Sequence, residues 1–249
     1  MIISEGFNPY IDLMHELADA AAPVSLKYFK KNIDISNKGP KLNSSFDPVT
    51  IADLNTEKTI REIIRKHYPD HNIMGEEQPD EQKNSNYTWI IDPIDGSMNF
   101  SRKSPMCCIS VAFWINNEPI FGVIYDFNRD EMFSGYVGEN AWLNDTIIQK
   151  KKTLPKSKSI LATGFPTYMS DDEATLKNFI SKIQKFKKIR MIGTAALSLA
   201  YVACNRFDAY YEENIKIWDV AAGIAINKSL SKNIIFEEMN NETLKVFVI

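Results

Sequence analysis

Trp89-Ile90-Ile91-Asp92-Pro93-Ile94-Asp95-Gly96-Ser97 is an apolar strand that runs straight into two aspartates three residues apart. The proline between them fixes one backbone angle and the glycine after them frees another, so a sharp turn is expected where the strand ends at Ile91. Such a turn aims both carboxylates and the Ile94 carbonyl at one spot. Hard divalent cations take oxygen ligands of this kind, Mg²⁺ through one or two carboxylates plus water and phosphate. Taken alone, a D-x-x-D-G segment is better explained as a β-turn whose aspartates bond their own backbone. Support for a cation site has to come from elsewhere in the chain.

Two further acidic positions supply it. Gly75-Glu76-Glu77 also follows a short apolar strand, and Ile217-Trp218-Asp219 precedes the apolar helix Val220-Ala221-Ala222-Gly223-Ile224-Ala225-Ile226. Asp219 alone reads as a helix N-cap, which contributes about 1 kcal/mol and implies no chemistry. Asp53, opening the helix after Asp47-Pro48-Val49-Thr50-Ile51-Ala52, has the same default. Each position has a structural reason; their joint occurrence in this order points to one carboxylate centre.

Around these segments the pattern alternates between helix and strand. Helical periodicity runs over residues 10–22, is kinked or interrupted at Pro23, and continues to 29. Residues 30–46 are polar and read as a surface loop, and 53–68 return to a helix. Strands follow at 71–74, 88–91, 107–115, 120–126 and 131–136, with turn signals at Asn116-Asn117-Glu118-Pro119 and Asn128-Arg129-Asp130. The basic, proline-containing stretch 150–158 is the expected boundary between two lobes, 1–150 and 151–249, of a single domain. Beyond it come a strand at 160–163, helices at 172–185 and 194–204, a strand at 207–211, a helix at 220–230 and strands at 234–236 and 244–248. Mixed elements of this kind give an α/β (α+β) layered fold.

Composition narrows the class. The chain has 249 residues, 44% hydrophobic and 24% charged, ordinary for one large domain. A net charge of −3 argues against a nucleic-acid binder. The N-terminal segment lacks the order of a signal peptide, and the apolar runs are strand-sized, far short of a membrane span. Three cysteines in apolar surroundings fit a reducing compartment, the cytoplasm. The three histidines sit in helical or turn contexts with no serine elbow, and read as surface or core residues. A calcium loop counted from Asp92 would need glutamate where Lys103 stands.

DPVTIAD (47–53), GEE (75–77), WIIDPIDGSMNF (89–100) and WDVAAG (218–223) resemble the successive signatures of the inositol monophosphatase family. The likeness extends over roughly residues 10–230 and implies the five-layered αβαβα sugar-phosphatase fold, a homodimer, and a Mg²⁺-dependent, Li⁺-sensitive phosphomonoesterase. Carried over residue by residue, the metal ligands are Glu76, Asp92, the Ile94 carbonyl, Asp95 and Asp219, holding two or three ions, with Mn²⁺ as a substitute. The implied chemistry is hydrolysis by a water that the metal activates. Glu76 orients that water, and the family's Thr–Asp pair falls on Ser97 and Asp53. Gly96, Ser97, Gly193, Thr194 and Ala195 would meet the phosphate at helix starts, and Glu212 a substrate hydroxyl; its other reading is a solvent-facing strand end.

Within the family the Asn99-Phe100 pair looks like the branch that cleaves inositol 1-phosphate, and a small phosphorylated polyol or sugar is the expected substrate. Fructose 1,6-bisphosphate, histidinol phosphate and 3′-phosphorylated nucleotides are the alternatives, as is a dimeric regulatory member associated with RNA polymerase. Two departures stand out: serine replaces threonine at 97, and the family's Gly-Gly turn after the last motif is absent from residues 229–233, which should alter the surface near the substrate's sugar.

Overall fold

The computed structural model describes residues 9–29, 36–37, 48–49, 51–165, 172–240 and 243–249. In chain order the elements are α1 (Pro9–Phe29), β1 (Ser36–Asn37), β2 (Pro48–Val49), α2 (Ile51–His67), β3 (Asn72–Gly75), β4 (Tyr87–Asp95), α3 (Ser97–Ser101), β5 (Cys108–Ile115), β6 (Glu118–Asp126) and β7 (Glu131–Tyr136). They continue as β8 (Ala141–Leu143), β9 (Thr146–Ile147), β10 (Ile160–Ala162), α4 (Glu173–Ile183), β11 (Lys188–Arg190), α5 (Ala195–Ala203), β12 (Ala209–Lys216), α6 (Ile217–Ser229), β13 (Ile234–Asn240) and β14 (Thr243–Val248). Strands β3 to β9 form a seven-stranded sheet in sequential order, and a five-stranded sheet has the order β11-β10-β12-β14-β13. The 30–46 loop expectation lies outside the described residues except for Ser36–Asn37, which pairs with Pro48–Val49.

Strand alternation sorts the core into layers. On one face of the large sheet, Ile73, Trp89, Ile91 and Phe113 pack with Leu13, Leu17, Ile60 and Ile64 of α1 and α2. On the other face, Ile90, Ala112, Trp114 and Ile124 pack with Ala196, Ala200, Ala221 and Ile226 of α5 and α6. The far sides of those two helices, through Leu199, Val202, Val220 and Ile224, meet Tyr210, Val246 and Val248 of the small sheet. Phe179 and Ile183 of α4 cover the outer face against Leu161, Ala209 and Tyr211. Helix pair, sheet, helix pair, sheet, helix: the order is αβαβα. Helices α5 and α6 are apolar all round because both of their sides are covered by sheet.

Helix α6 lies unusually close to the large sheet. A Cβ built on Gly122 of β6 would fall 2.3 Å from the Ala222 carbonyl oxygen and 2.8 Å from its Cα. A Cβ on the neighbouring Gly135 of β7 would stand 2.8 Å from Ile226 Cα. The two glycines let the helix backbone rest on the strand backbones, which sets the height of every α6 side chain above the sheet.

Two expectations change. Helix α1 runs unbroken through Pro23, because Leu17, Ala21, Ala22 and Ser25 on either side of it are buried. Strand β4 does not stop at Ile91 but continues to Asp95, with a register shift against β5 between Asp92 and Asp95. The short elements α3, β8, β9 and β11 were not legible, since two to five residues carry too little periodicity to read.

Gly122→Ala must either push α6 away or strain the sheet, a loss of about 1–3 kcal/mol. Urea unfolding checks this; an unchanged midpoint would mean that α6 moves freely on β6.

Candidate metal centre

The structure resolves how two aspartates three apart can face the same way. Along a regular strand, residues i and i+3 point to opposite faces. Pro93 has no N–H to give the β4–β5 ladder, and the Ile94 N–H donates to Asp92 Oδ1 at 3.0 Å. The resulting bulge resets the alternation, so that Asp92 and Asp95 share a side. The turn itself comes after the second aspartate, at Gly96, whose φ of 89° favours glycine.

Asp219 joins them from the first turn of α6 as its third helical residue, three positions past the cap at Lys216, so it is not the N-cap that its sequence context suggested. Carboxylate oxygens of Asp92, Asp95 and Asp219 lie within 4.8 Å of one another. Glu76 follows β3, which runs parallel to β4 with Gly75 opposite Ile91, and its N–H donates to the Ile91 carbonyl at 3.3 Å. Its charge acts on both Asp92 and Asp219. Asp53, in the first turn of α2, is fully buried and accepts from Ser97 Oγ at 3.0 Å; the same hydroxyl lies 3.0 Å from the Ile94 carbonyl oxygen.

Among the described residues no lysine or arginine side chain pairs with Asp92, Asp95 or Asp219. Burial, then the charges of Glu76, Asp95 and Asp219, hold the Asp92 carboxyl well above the usual carboxylate range. Burial, then Asp95 and Glu76, do the same to Asp219. Asp95 is pushed up to about 6 by burial, an effect opposed by hydrogen bonds from Thr194, Ala196 and Gly96. Asp92 Oδ2 is buried and meets no N–H or hydroxyl donor; the Asp92 and Asp219 carboxyls can bond each other only by sharing a proton. Oxygen-only donors, an orphaned carboxylate oxygen and uncompensated like charge are the features that a hard divalent cation satisfies.

The start of α5 is more committed than its sequence suggested. Thr194 caps the helix by accepting from the Leu197 N–H at 3.2 Å, while its own hydroxyl donates to Asp95 Oδ2 at 2.5 Å. The Ala196 N–H donates to the same oxygen at 2.6 Å. Thr194 therefore fixes Asp95, a role that sequence reading missed. Gly193 lies beside Gly96, and the Asn99 amide joins the two loops by donating to the Met106, Ile192 and Gly193 carbonyls at 2.8, 2.9 and 3.2 Å. Glu212 is half-buried and accepts from the Tyr210 hydroxyl at 2.9 Å, unlike a solvent-facing strand end. Burial raises its pKa to about 7.

His71 takes no part in this cluster: it stacks between Tyr68 and Tyr87, each with ring centroids 4.7 Å away, and accepts from Trp89 Nε1 at 3.1 Å.

The model of the inositol monophosphatase family matches residues 8–230. The chain belongs to this family. A Nus factor SuhB from Pasteurella multocida is 36% identical over 221 residues, covering 87% of this chain and 80% of that protein. Bovine inositol monophosphatase 1 is 34% identical over 237 residues, covering 91% and 83%. Among solved structures, an extragenic suppressor protein suhB from Bartonella henselae superposes with a TM-score of 0.83 at 28% identity, over 96% of this chain and 93% of that one. An inositol monophosphatase from Anabaena gives 0.80 at 32%, over 95% and 89%. The family is metal-dependent, and the chain is a phosphoric monoester hydrolase with the sugar-phosphatase fold. No described helix is long and apolar enough to cross a membrane.

The raised carboxylates give a signed pH effect. Their folded pKa values exceed the unfolded ones near 4, so without a cation the native state binds the extra protons; stability is lost as pH rises through the folded values, that of Asp95 being about 6. A cation must displace those protons. The rise in Tm on adding saturating Mg²⁺ to chelator-treated protein is therefore expected to be larger at pH 7.5 than at pH 5, and thermal unfolding at both pH values checks it.

Proposed function

We propose that the chain is a Mg²⁺-dependent phosphomonoesterase acting on a small polyol or sugar phosphate of the inositol 1-phosphate kind. The observation that carries this reading is the unpartnered Asp92 Oδ2 inside a buried cluster of like charge. Glu76, Asp92, Asp95, Asp219 and the Ile94 carbonyl would hold two or three Mg²⁺ ions, with Mn²⁺ as a substitute. Bound Mg²⁺ supplies Lewis-acid chemistry, lowering the pKa of a coordinated water and neutralising charge on the phosphoryl and leaving oxygens.

The chain's own groups do the rest. Glu76 orients the water and accepts its proton. The Ser97 hydroxyl gives its hydrogen to Asp53 or to the Ile94 carbonyl, which leaves the oxygen's lone pairs to accept from that water. Serine in place of threonine keeps this function and loses one methyl. Backbone N–H groups at the Gly96–Ser97 turn and at Gly193, Thr194 and Ala195, where α5 begins, hold the phosphate. Glu212, with a pKa near 7, can accept from or donate to a substrate hydroxyl. A homodimer working in the cytoplasm completes the reading.

A second reading, that the chain also acts as a Nus factor, is favoured by relatives of that name at 36–38% identity. It does not replace the first, since the full carboxylate set is present. Capture of RNA polymerase or ribosomal partners in a pull-down tests it.

Asp92→Asn and Asp219→Asn should each lower turnover on the order of 100-fold or more, because each removes a charge from the cluster. Phosphate release from inositol 1-phosphate with Mg²⁺ measures this, and near-normal rates would defeat the metal assignment. Fructose 1,6-bisphosphate, histidinol phosphate and adenosine 3′,5′-bisphosphate in the same assay discriminate the substrate. Ser97→Ala is expected to reduce kcat more than it raises KM, and Li⁺ at millimolar concentration to inhibit by competing for a Mg²⁺ position; steady-state kinetics with and without LiCl reads both.

A further inference from the structure

Helix α2 carries buried polar side chains at four-residue spacing: Asp53, Glu57 and Arg61. Asp53 meets Ser97; the next two meet something else. Arg61 Nε donates to Glu57 Oε1 at 2.7 Å, and the two side chains are 1% and 0% exposed. A buried ion pair of this kind is seldom favourable for stability alone, since two charges have left water. Here the pair is turned towards the loop that follows β3. The Glu77 N–H donates to Glu57 Oε2 at 2.8 Å and the Gln78 N–H to Glu57 Oε1 at 3.2 Å. Arg61 returns bonds to the Gln78 carbonyl at 3.0 Å, the Pro79 carbonyl at 3.2 Å and Glu81 Oε1 at 3.1 Å.

The chemistry of the pair matches its task. Between Glu76, bonded to Ile91, and Glu81, bridged to Ile73, the loop has N–H groups that need an acceptor and carbonyls that need a donor. A carboxylate takes two adjacent N–H groups, and a guanidinium fork serves the carbonyls behind them. The loop runs directly over the pair, because a Cβ on Gly75 would fall 2.5 Å from Glu57 Oε1 and 2.8 Å from Arg61 Nη2. Glu76 is thus held from both sides. Its own N–H is bonded to β4 at the Ile91 carbonyl, and the next two N–H groups are bonded to α2.

We propose that Glu57 and Arg61 are positioning residues that set the Glu76 carboxylate for cation binding, acting through the backbone of residues 76–81. The proposal rests on the reading of Glu76 as a metal ligand. Through it one rigid helix holds Glu76 by the Glu57–Arg61 pair and Ser97 by Asp53, so the two groups assigned to the attacking water keep a fixed spacing.

Glu57→Gln preserves shape while removing the charge and one acceptor. Hydrogen exchange of the Glu77 and Gln78 amides in cation-free protein should accelerate at least about tenfold, and the Kd for Mg²⁺, read by calorimetry, should rise about 10- to 100-fold. Ile64→Val, two turns along the same helix, serves as the control for destabilisation and should change neither. In a Glu76→Gln background, Glu57→Gln should add no further loss of Mg²⁺ affinity. Gly75→Ala, which presses on the pair from the loop side, should give the same signature if Glu57→Gln fails to fold. Unchanged exchange at 77 and 78, or losses that simply add to that of Glu76→Gln, would overturn the clamp while leaving the metal site standing. A Glu76→Gln protein with normal Mg²⁺ affinity would overturn the metal reading of Glu76 and the purpose assigned to the clamp together.

Discussion

Buried like charge is the constraint around which this molecule is organised. Three aspartates share a volume a few ångströms across, a glutamate acts on two of them, and no basic side chain among the described residues pairs with the three aspartates. In a low-dielectric setting such an arrangement persists only if the charges are neutralised by protons or by cations. The partial compensation that the fold does offer is dipolar. Asp219 and Asp53 occupy the first turns of α6 and α2, and Asp95 accepts from the N-terminal turn of α5. Helix N-termini favour negative charge by a few tenths to about 1 kcal/mol each, too little to balance full carboxylates in mutual contact but enough to bias which of them ionise first.

The layered architecture explains how the cluster can be held against its own repulsion. Each carboxylate arrives on an element anchored in a different part of the core. Asp92 and Asp95 ride on a central strand flanked by β3 and β5, Asp219 on a helix pressed between two sheets, and Glu76 on a loop tied to α2. Relief of the repulsion would require a strand, a helix and a loop to move apart at once. The close seating of α6 on Gly122 and Gly135 matters for the same reason, since a helix that could rise from the sheet would carry Asp219 out of the site.

Much of this could be read before any coordinates. The apolar strand into DPIDG, the apolar helix after WD and the order of acidic segments were visible as patterns, and the five layers followed from resemblance. What was not visible had physical causes. Strand alternation alone puts Asp92 and Asp95 on opposite faces, and only a bulge, which leaves no periodic trace, reconciles them. Pro23 looked like a break because the missing N–H is local information, whereas the burial that overrides it comes from α2 and the sheet. The bond from the Thr194 hydroxyl to Asp95 was hidden because it spans 99 positions. Nothing in their local sequence marks Glu57 and Arg61 as buried. Their phase gave the only available hint: they continue the file of Asp53 at four-residue steps, on a helix face that also carries buried Thr56 and Ile60.

The same electrostatics bears on whether the chain works as an enzyme or only as a scaffold. A protein that had no use for cations would gain stability by exchanging any one of the clustered aspartates for asparagine, since the amide keeps the shape and removes the repulsion. A buried, unpartnered oxygen such as Asp92 Oδ2 costs about 1–3 kcal/mol on its own. Keeping Asp92 is therefore a stability cost that catalysis can justify and partner binding cannot, because a partner docks on the surface and never touches a residue that is 1% exposed. Any role shared with the Nus factor relatives would be added on the outside of a molecule whose interior carries an acidic cluster that could hold metal.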